Sequence, residues 1–396
     1  MTAQNSPTPP TAGSGGATAT GTTAPCGPCP TATIVFSKST LQRYGYDDFD
    51  TPTNNTDDHV NIKKSDHTFV RVDITGGVGT DFDFVCDDPT ICTPVAPSGS
   101  AGFDLRLNAG SHNKANTVLR ARCKCNSSVI YASIAVHVYK EKLVEVVVAK
   151  IVDSTVAATA LNYATADYAA HTATVNDKVK EAVVKYSITN YDASNGTTDV
   201  RYDLDGNGAL SYDINAGGGA ELQAIRSAMT GTGSKVRVAI VRFMKSYYYL
   251  ASAAAAGDTT LTVTSSSVFK FPPGTVQLGS GSTAENVTVA STSGNTVTLS
   301  APLANAQPAG AGLEFPAGGW SSDPILIHEG TRSLDVIKWT IPHEAGHRAL
   351  SLEDVVDTND IMHWSRSWTD YRLRYCPRNK KHGTGGTENQ WETIPR

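Results

Sequence analysis

A chain of 396 residues with a net charge of −5 and 18% charged side chains is too long for one core and divides into two or three domains. The mild acidity, broken by no basic run longer than Arg378 to Lys381, excludes nucleic acid as a main partner. No apolar run reaches the roughly eighteen residues that a membrane span requires, so no span is expected.

Residues 1–31 are rich in Pro, Thr, Gly and Ala without a hydrophobic period, which predicts a flexible tail. They lack the basic region and apolar core of a conventional secretory signal, so delivery outside the cell or into a target cell is expected by another, non-Sec route. Cys26 and Cys29 have the spacing of a redox pair. They stand in a tail rather than at a strand-to-helix turn, so redox catalysis is not expected. A bridge to Cys123 and Cys125, by disulfides or by a structural zinc, fits better. Cys86 and Cys92 flank an acidic loop that a small disulfide would close, leaving Cys376 over.

Residues 32–140 alternate apolar and polar in short runs, among them Phe69 to Ile74, Phe103 to Leu107 and Ser133 to Tyr139. Turns separate the runs, which predicts an immunoglobulin-like antiparallel β-sandwich with a binding or spacer role. His137 is expected to pack or to face solvent. From Leu143 the texture changes. Val144 to Val152 is an apolar strand, residues 167–186 read as a helix, and Val236 to Phe243 and Pro324 to His328 are further strands.

Between these elements, Asp203 to Ser211 matches the first nine positions of an EF-hand loop, with Gly208 at the sixth. Calcium is expected on Asp203, Asp205, Asn207, the Ala209 carbonyl, Ser211 and Asp213; the twelfth position holds Ile214 rather than an acid. The helix that follows, Ala220 to Arg226, would complete a loop-helix unit that stiffens the domain. Residues 249–315 are Thr/Val/Ser-rich short strands with almost no charge, read as a small β domain inserted in a loop. They are similar to small β modules of phage-tail and bacterial surface or injection proteins. That likeness implies docking or target recognition.

The densest chemistry lies at His343-Glu344-Ala345-Gly346-His347. Side chains four apart share a helical face, so His343 and His347 can offer imidazole nitrogens to one metal, with Glu344 beside it as a base. Downstream come Leu350-Ser351-Leu352-Glu353-Asp354 and Asn359-Asp360-Ile361-Met362-His363. This run resembles the metzincin metallopeptidases, whose second His leads through a Gly turn to a third ligand and then to a Met in a turn beneath the metal. The resemblance implies zinc on His343, His347 and a carboxylate, and Met362 as the Met-turn residue. It also implies that the short helix of Gly386 to Trp391 closes the domain.

Two departures stand out. Ser351 occupies the Gly position, and the third ligand comes late. Strict counting gives Glu353, whereas the apolar pattern and the distance to Met362 favour Asp354. His363 could face substrate or solvent, and Tyr371 could assist an oxyanion. The expected fold class is α+β. A metzincin-like domain of mixed sheet and active-site helix (141–248 and 316–396) follows the sandwich and is interrupted by the all-β insert (249–315). The expected activity is zinc-dependent hydrolysis of peptide bonds in a protein or peptide substrate, in a secreted or injected bacterial effector whose β domains engage a delivery apparatus. The alternatives are a structural, adhesive or phage-tail-like binding protein on a degenerate zincin scaffold, or a cell-wall peptide hydrolase.

Overall fold

The computed structural model describes residues 27–47, 59–95, 97–161, 171–191, 198–213, 218–264, 274–315, 319–320, 323–330, 332–355, 361–362 and 390–396. Most of the expected tail, together with Cys26, Ile214, His363, Tyr371, Cys376 and residues 386–389, lies outside this set.

The first unit holds β1 (Thr33–Lys38), β2 (Tyr46–Asp47), β3 (His59–Lys63), β4 (His67–Thr75), β5 (Phe82–Cys86), β6 (Cys92–Pro94), β7 (Gly102–Ala109), β8 (Ala115–Cys123) and β9 (Ile130–Tyr139). They form two sheets, β1-β4-β7-β6 and β2-β3-β9-β8-β5. Alternate residues such as Phe36, Val72 and Leu105 from one sheet meet Ile62, Phe84 and Val136 from the other in a dry core. β3 and β9 run parallel, so the sandwich is not wholly antiparallel as expected. A Cys29–Cys123 disulfide ties the segment before β1 to the end of β8, and Cys125 is also disulfide-bonded. Cys86 and Cys92 are buried thiols, hydrogen-bonded to each other rather than bridged.

The second unit begins with β10 (Lys142–Val152), α1 (Thr172–Val179), β11 (Val184–Asn190), β12 (Thr198–Asp199), β13 (Leu210–Asp213), α2 (Gly219–Ala228), β14 (Val236–Val241) and β15 (Met244–Tyr249). The inserted strands are β16 (Thr260–Thr262), β17 (Gly274–Leu278), β18 (Glu285–Ser293), β19 (Thr296–Leu299) and β20 (Gly312–Phe315). The chain then forms β21 (Gly319–Trp320), β22 (Ile325–His328), α3 (Leu334–Leu350) and α4 (Gln390–Thr393).

β11-β10-β14-β22-β21 make a sheet that is parallel except for the last strand, and β12 pairs with the far end of β10. Val146, Val148, Val238, Ile240, Ile325 and Ile327 face α1 and α3 on one side. Ala149, Ile151, Ala239, Val241 and Leu326 face α2 on the other. Both faces are therefore buried, which is why Val146 to Ala149 is continuously apolar rather than alternating. The insert is not self-contained. Its seven-stranded sheet, β13-β15-β20-β17-β18-β19-β16, begins on β13 and β15, outside or astride the expected boundary.

Strands dominate throughout. Among the described residues, four sheets stand against four α-helices, of which only α3 exceeds ten residues. The expected α+β class built around a metzincin-like domain is thereby corrected: the protein is predominantly β. One cause is visible at the helix expected over 167–186. Its described part is helical only to Val179, tightens into a 3-10 turn at Lys180–Ala182, and reverses at Val183 (φ 55°). β11 then starts at Val184, where Val, Tyr and Ile suit a pleated, buried strand. The Thr- and Val-rich insert likewise satisfies its backbone by strand pairing rather than by helix.

The C-terminal segment seals the seam between the two units. Trp391 is fully buried, and a Cβ on Gly45 would lie within 2.4 Å of its ring. Lys114 Nζ donates to the Glu392 carbonyl (2.7 Å), Tyr139 donates its hydroxyl to the Glu392 carboxylate, and Asn61 donates to the Glu181 carbonyl (2.8 Å). In the same seam His137 Nε2 lies 3.0 Å from His59 Nδ1. Burial first, and the neighbouring His59 second, push the His137 pKa down from 6.5 to about 3. Unfolded, His137 takes up a proton below about 6.5; folded, it resists one until about 3. Protons therefore favour the unfolded chain within that window. Stability is expected to fall as pH drops from about 6.5 towards 3, and His137→Gln is expected to flatten that decline in urea titrations across pH. An unchanged pH profile in the variant would count against this account.

Candidate metal centres

α3 carries the first centre. Ser333 caps its start by accepting the Val336 N–H (3.4 Å), and Asp335 suits the positive end of the helix. Pro342 stands mid-helix and supplies no N–H, so the Lys338 carbonyl loses its helical donor. The Tyr186 hydroxyl, from β11, donates to the Pro342 carbonyl at 3.1 Å and fixes this part of the helix against the sheet. The helix ends at Ser351, which is left-handed (φ 57°), the conformation for which glycine would have been suited. A serine there costs about 1–2 kcal/mol.

That reversal folds the chain back along the helix. Leu352 donates its N–H to the Gly346 carbonyl (3.3 Å) and Val355 to the Met362 carbonyl (2.9 Å). Two carbonyls are thereby aimed at the imidazoles. Leu352 O lies 2.7 Å from His347 Nδ1, and Ile361 O lies 2.8 Å from His343 Nδ1. A carbonyl only accepts, so both Nδ1 atoms carry the proton and both Nε2 atoms present a lone pair. The rings stand at 89° with centroids 4.9 Å apart.

Each Nε2 lies 3.4 Å from Asp354 Oδ1. A tetrahedral zinc with bonds of about 2.0–2.1 Å needs ligand atoms about 3.3 Å apart, so two imidazoles and one carboxylate at these separations fit that ion. His343 is 2% and Glu344 4% exposed, and His347 and Asp354 are half-buried. Burial alone would lower the His347 pKa; the hydrogen bond and charge of Asp354, then the charge of Glu344, outweigh it and raise the pKa. Met362 is buried directly beneath, with its sulfur 2.7 Å from where a Cβ on Gly346 would sit. Only glycine allows that approach.

Of the expected ligands, His343, His347 and Asp354 come together, with Glu344 on the same helix. Glu353 is exposed and stands outside the group. The Leu352 and Ile361 carbonyls were invisible to sequence reasoning, because backbone acceptors carry no residue signature. Gly346 was readable only as a small residue inside the motif.

The second group lies across the sheet. Carboxylate oxygens of Asp203, Asp205 and Glu221 fall within 4.8 Å of one another. Asp203 accepts the N–H groups of Asn207 (3.0 Å) and Gly208 (2.7 Å), and Gly206 (φ 70°) lets the loop turn. Asn207 and Ser211 hydrogen-bond to the Asp205 side chain (2.8 and 2.9 Å). Ala209 follows in the loop, and Asp213 lies outside the three-carboxylate group. Glu221, in the first turn of α2, accepts N–H groups of Leu204 (2.8 Å) and Ser211 (2.6 Å). Burial is the leading cause that raises the pKa of both Asp203 and Glu221, and the Asp205 carboxylate adds to each. A divalent cation held by oxygen donors would relieve this crowding. Sequence reasoning missed Glu221; an acid in the first turn of the following helix was the available signal.

No protein-family model matches the chain, and no curated protein matches it. Among solved structures, the Pseudomonas phage phi297 tailspike gp61 is similar at 19% identity over 26% of this chain and 17% of the tailspike, with a TM-score of 0.15. The chain thus spans well under two thirds of that protein. These comparisons show no family, and the metzincin resemblance carried by His343 to Met362 is not upheld for a chain that is mostly sheet.

The purified chain is expected to carry about one zinc by elemental analysis, lost in His343→Ala and His347→Ala. Asp354→Asn is expected to weaken binding about tenfold or more, with Glu353→Gln neutral; the reverse pattern would refute the ligand set. At the second group, calcium is expected to raise the melting temperature, and Glu221→Gln to remove most of that gain. A melting temperature indifferent to calcium and to chelator would exclude it.

Proposed function

We propose that this protein is a zinc-dependent peptidase that hydrolyses amide bonds in a protein or peptide substrate, with Glu344 as general base. The observation that carries this reading is the His343, His347 and Asp354 donor set, with each Nε2 3.4 Å from Asp354 Oδ1 and both imidazoles oriented by backbone carbonyls. When bound, zinc supplies a Lewis acid that polarises a carbonyl and acidifies water to a pKa of about 7. The chain does the rest. The Nδ1 contacts of His343 and His347 fix both rings and leave each Nε2 turned towards Asp354. Asp354 supplies one negative charge. Glu344, buried beside them, takes a proton on its carboxylate and returns it to the departing nitrogen.

Two observations support export within the same proposal. The Cys29–Cys123 disulfide suits an oxidising compartment, and the Asp203 loop suits one where calcium is plentiful. In this reading the chain acts outside the cell that makes it, and its β domains engage a delivery apparatus or target. No helix among the described residues is long and apolar enough to cross a membrane. A second reading, an adhesive or phage-tail-like binding protein, draws on the predominance of β modules that carry no catalytic constellation. Cell-wall peptides are the alternative substrate class.

Glu344→Gln is expected to lower casein or peptide cleavage by roughly 10²–10⁴-fold while zinc content is retained. Cleavage at the wild-type rate in that variant would sink the mechanism, and absence of cleavage in the zinc-loaded wild type across a peptide library would favour the binding reading.

A further inference from the structure

A cleft of about 520 Å³ opens where the calcium-type loop meets the inserted sheet, within the range of small-ligand sites. Its floor is β15. Lys245, Tyr247 and Tyr249 share one half-buried face of that strand, while Ser246 and Tyr248 point into the core. The two tyrosine rings are nearly parallel, with centroids 6.0 Å apart and planes at 26°. Gly312 lies opposite Tyr249 in the register, and a Cβ there would come within 2.9 Å of the Tyr247 ring, so its absence leaves that ring its place over the strand. Lys245 pairs with Glu314 across the strands at 3.3 Å, which neutralises the floor's charge.

The walls are polar. Asp205, Asn207 and Ser211 come from the loop and Gln277 from β17, and the Asp205 carboxylate disfavours an anionic ligand. Gln307 is 1% exposed and rigidly held: its backbone pairs with Ala254, and its amide nitrogen donates to the Thr283 carbonyl (2.7 Å) and to Glu285 (3.1 Å). Its amide oxygen has no donor among the described residues and sits against Gly279, where a Cβ would lie only 2.3 Å away. A buried acceptor left unsatisfied in the wall of a cleft points to a donor supplied by a ligand.

We propose that this cleft binds a neutral saccharide. The apolar C–H face of a sugar ring stacks on Tyr247 and Tyr249, and its hydroxyls meet Gln277, Asn207 and the Gln307 oxygen. The paired Lys245 leaves no unmatched cation for an anionic ligand, and the polar walls disfavour an apolar one. The cleft stands apart from the His343 centre, so this inference does not depend on the peptidase reading.

The test uses the full chain carrying Glu344→Gln, loaded with zinc and calcium. It is applied to an array of neutral, N-acetylated and sulfated oligosaccharides, and the best neutral hit is titrated calorimetrically. At least one neutral oligosaccharide is expected to bind. Tyr249→Ala is expected to lose about tenfold or more in affinity and Tyr249→Phe to keep it, since the phenyl ring still stacks. Circular dichroism guards against a misfolded variant. Binding to no neutral oligosaccharide, a preference for sulfated ones, or an affinity indifferent to Tyr249→Ala would overturn the proposal.

Discussion

Two hydrogen bonds from imidazole to backbone carbonyl are the constraint around which the α3 centre is built. For His343 and His347 to present Nε2 to one point, each ring must be fixed in tautomer and rotation, and Ile361 O and Leu352 O do both. Those carbonyls lie beyond the helix, so the chain must double back, and the left-handed Ser351 is where it does so. The strain of serine in that conformation is of the same size as one net hydrogen bond. Two such bonds and the burial of Leu352, Val355, Ile361 and Met362 offset it. The missing side chain at Gly346 belongs to the same solution, because the returning chain needs room under the helix for Met362.

The sheet decides where this arrangement stands. α3 packs on the face carrying Val238, Ile240, Ile325 and Ile327, while α2 packs on the face carrying Ala239, Val241 and Leu326. A strand buried on both sides has no tolerance for a register slip, since a shift of one residue would exchange the two faces. β13 and β15 then carry the order outward into the inserted sheet. The insert is therefore an extension of the second unit and not a tethered ornament, and the cleft beneath the Asp203 loop is a product of that continuity.

How much of this was legible followed the range of the interactions. The His343 and His347 pairing needs only the helical period, so it could be read directly. The choice between Glu353 and Asp354 could not be settled by counting, because a left-handed turn at a serine sets which carboxylate returns to the helix. The Asp203 loop was readable as a run of oxygen donors that includes Asp203 and Asp205, but Glu221 lies on the next element and joins them through tertiary packing. The sandwich strands were visible by alternation, yet the parallel β3–β9 pairing has no local signature. The fold class failed because a conspicuous motif drew the reading towards helix. The Val- and Thr-rich majority of the chain was meanwhile satisfying its backbone in sheets.

The two candidate metal centres share one mechanical support. The α3 centre rests on one face of β10, β14 and β22, and α2, which bears Glu221, rests on the other. Val238 and Ala239 are neighbours in sequence, and they belong to opposite cores. Asp203, Asp205 and Glu221 bring three carboxylates within 4.8 Å of one another, while Glu221 accepts the Leu204 and Ser211 N–H groups and so ties α2 to its loop. The two centres therefore lean on opposite faces of the same strands, and a slip of one residue in β14 would exchange Val238 with Ala239 and disturb both.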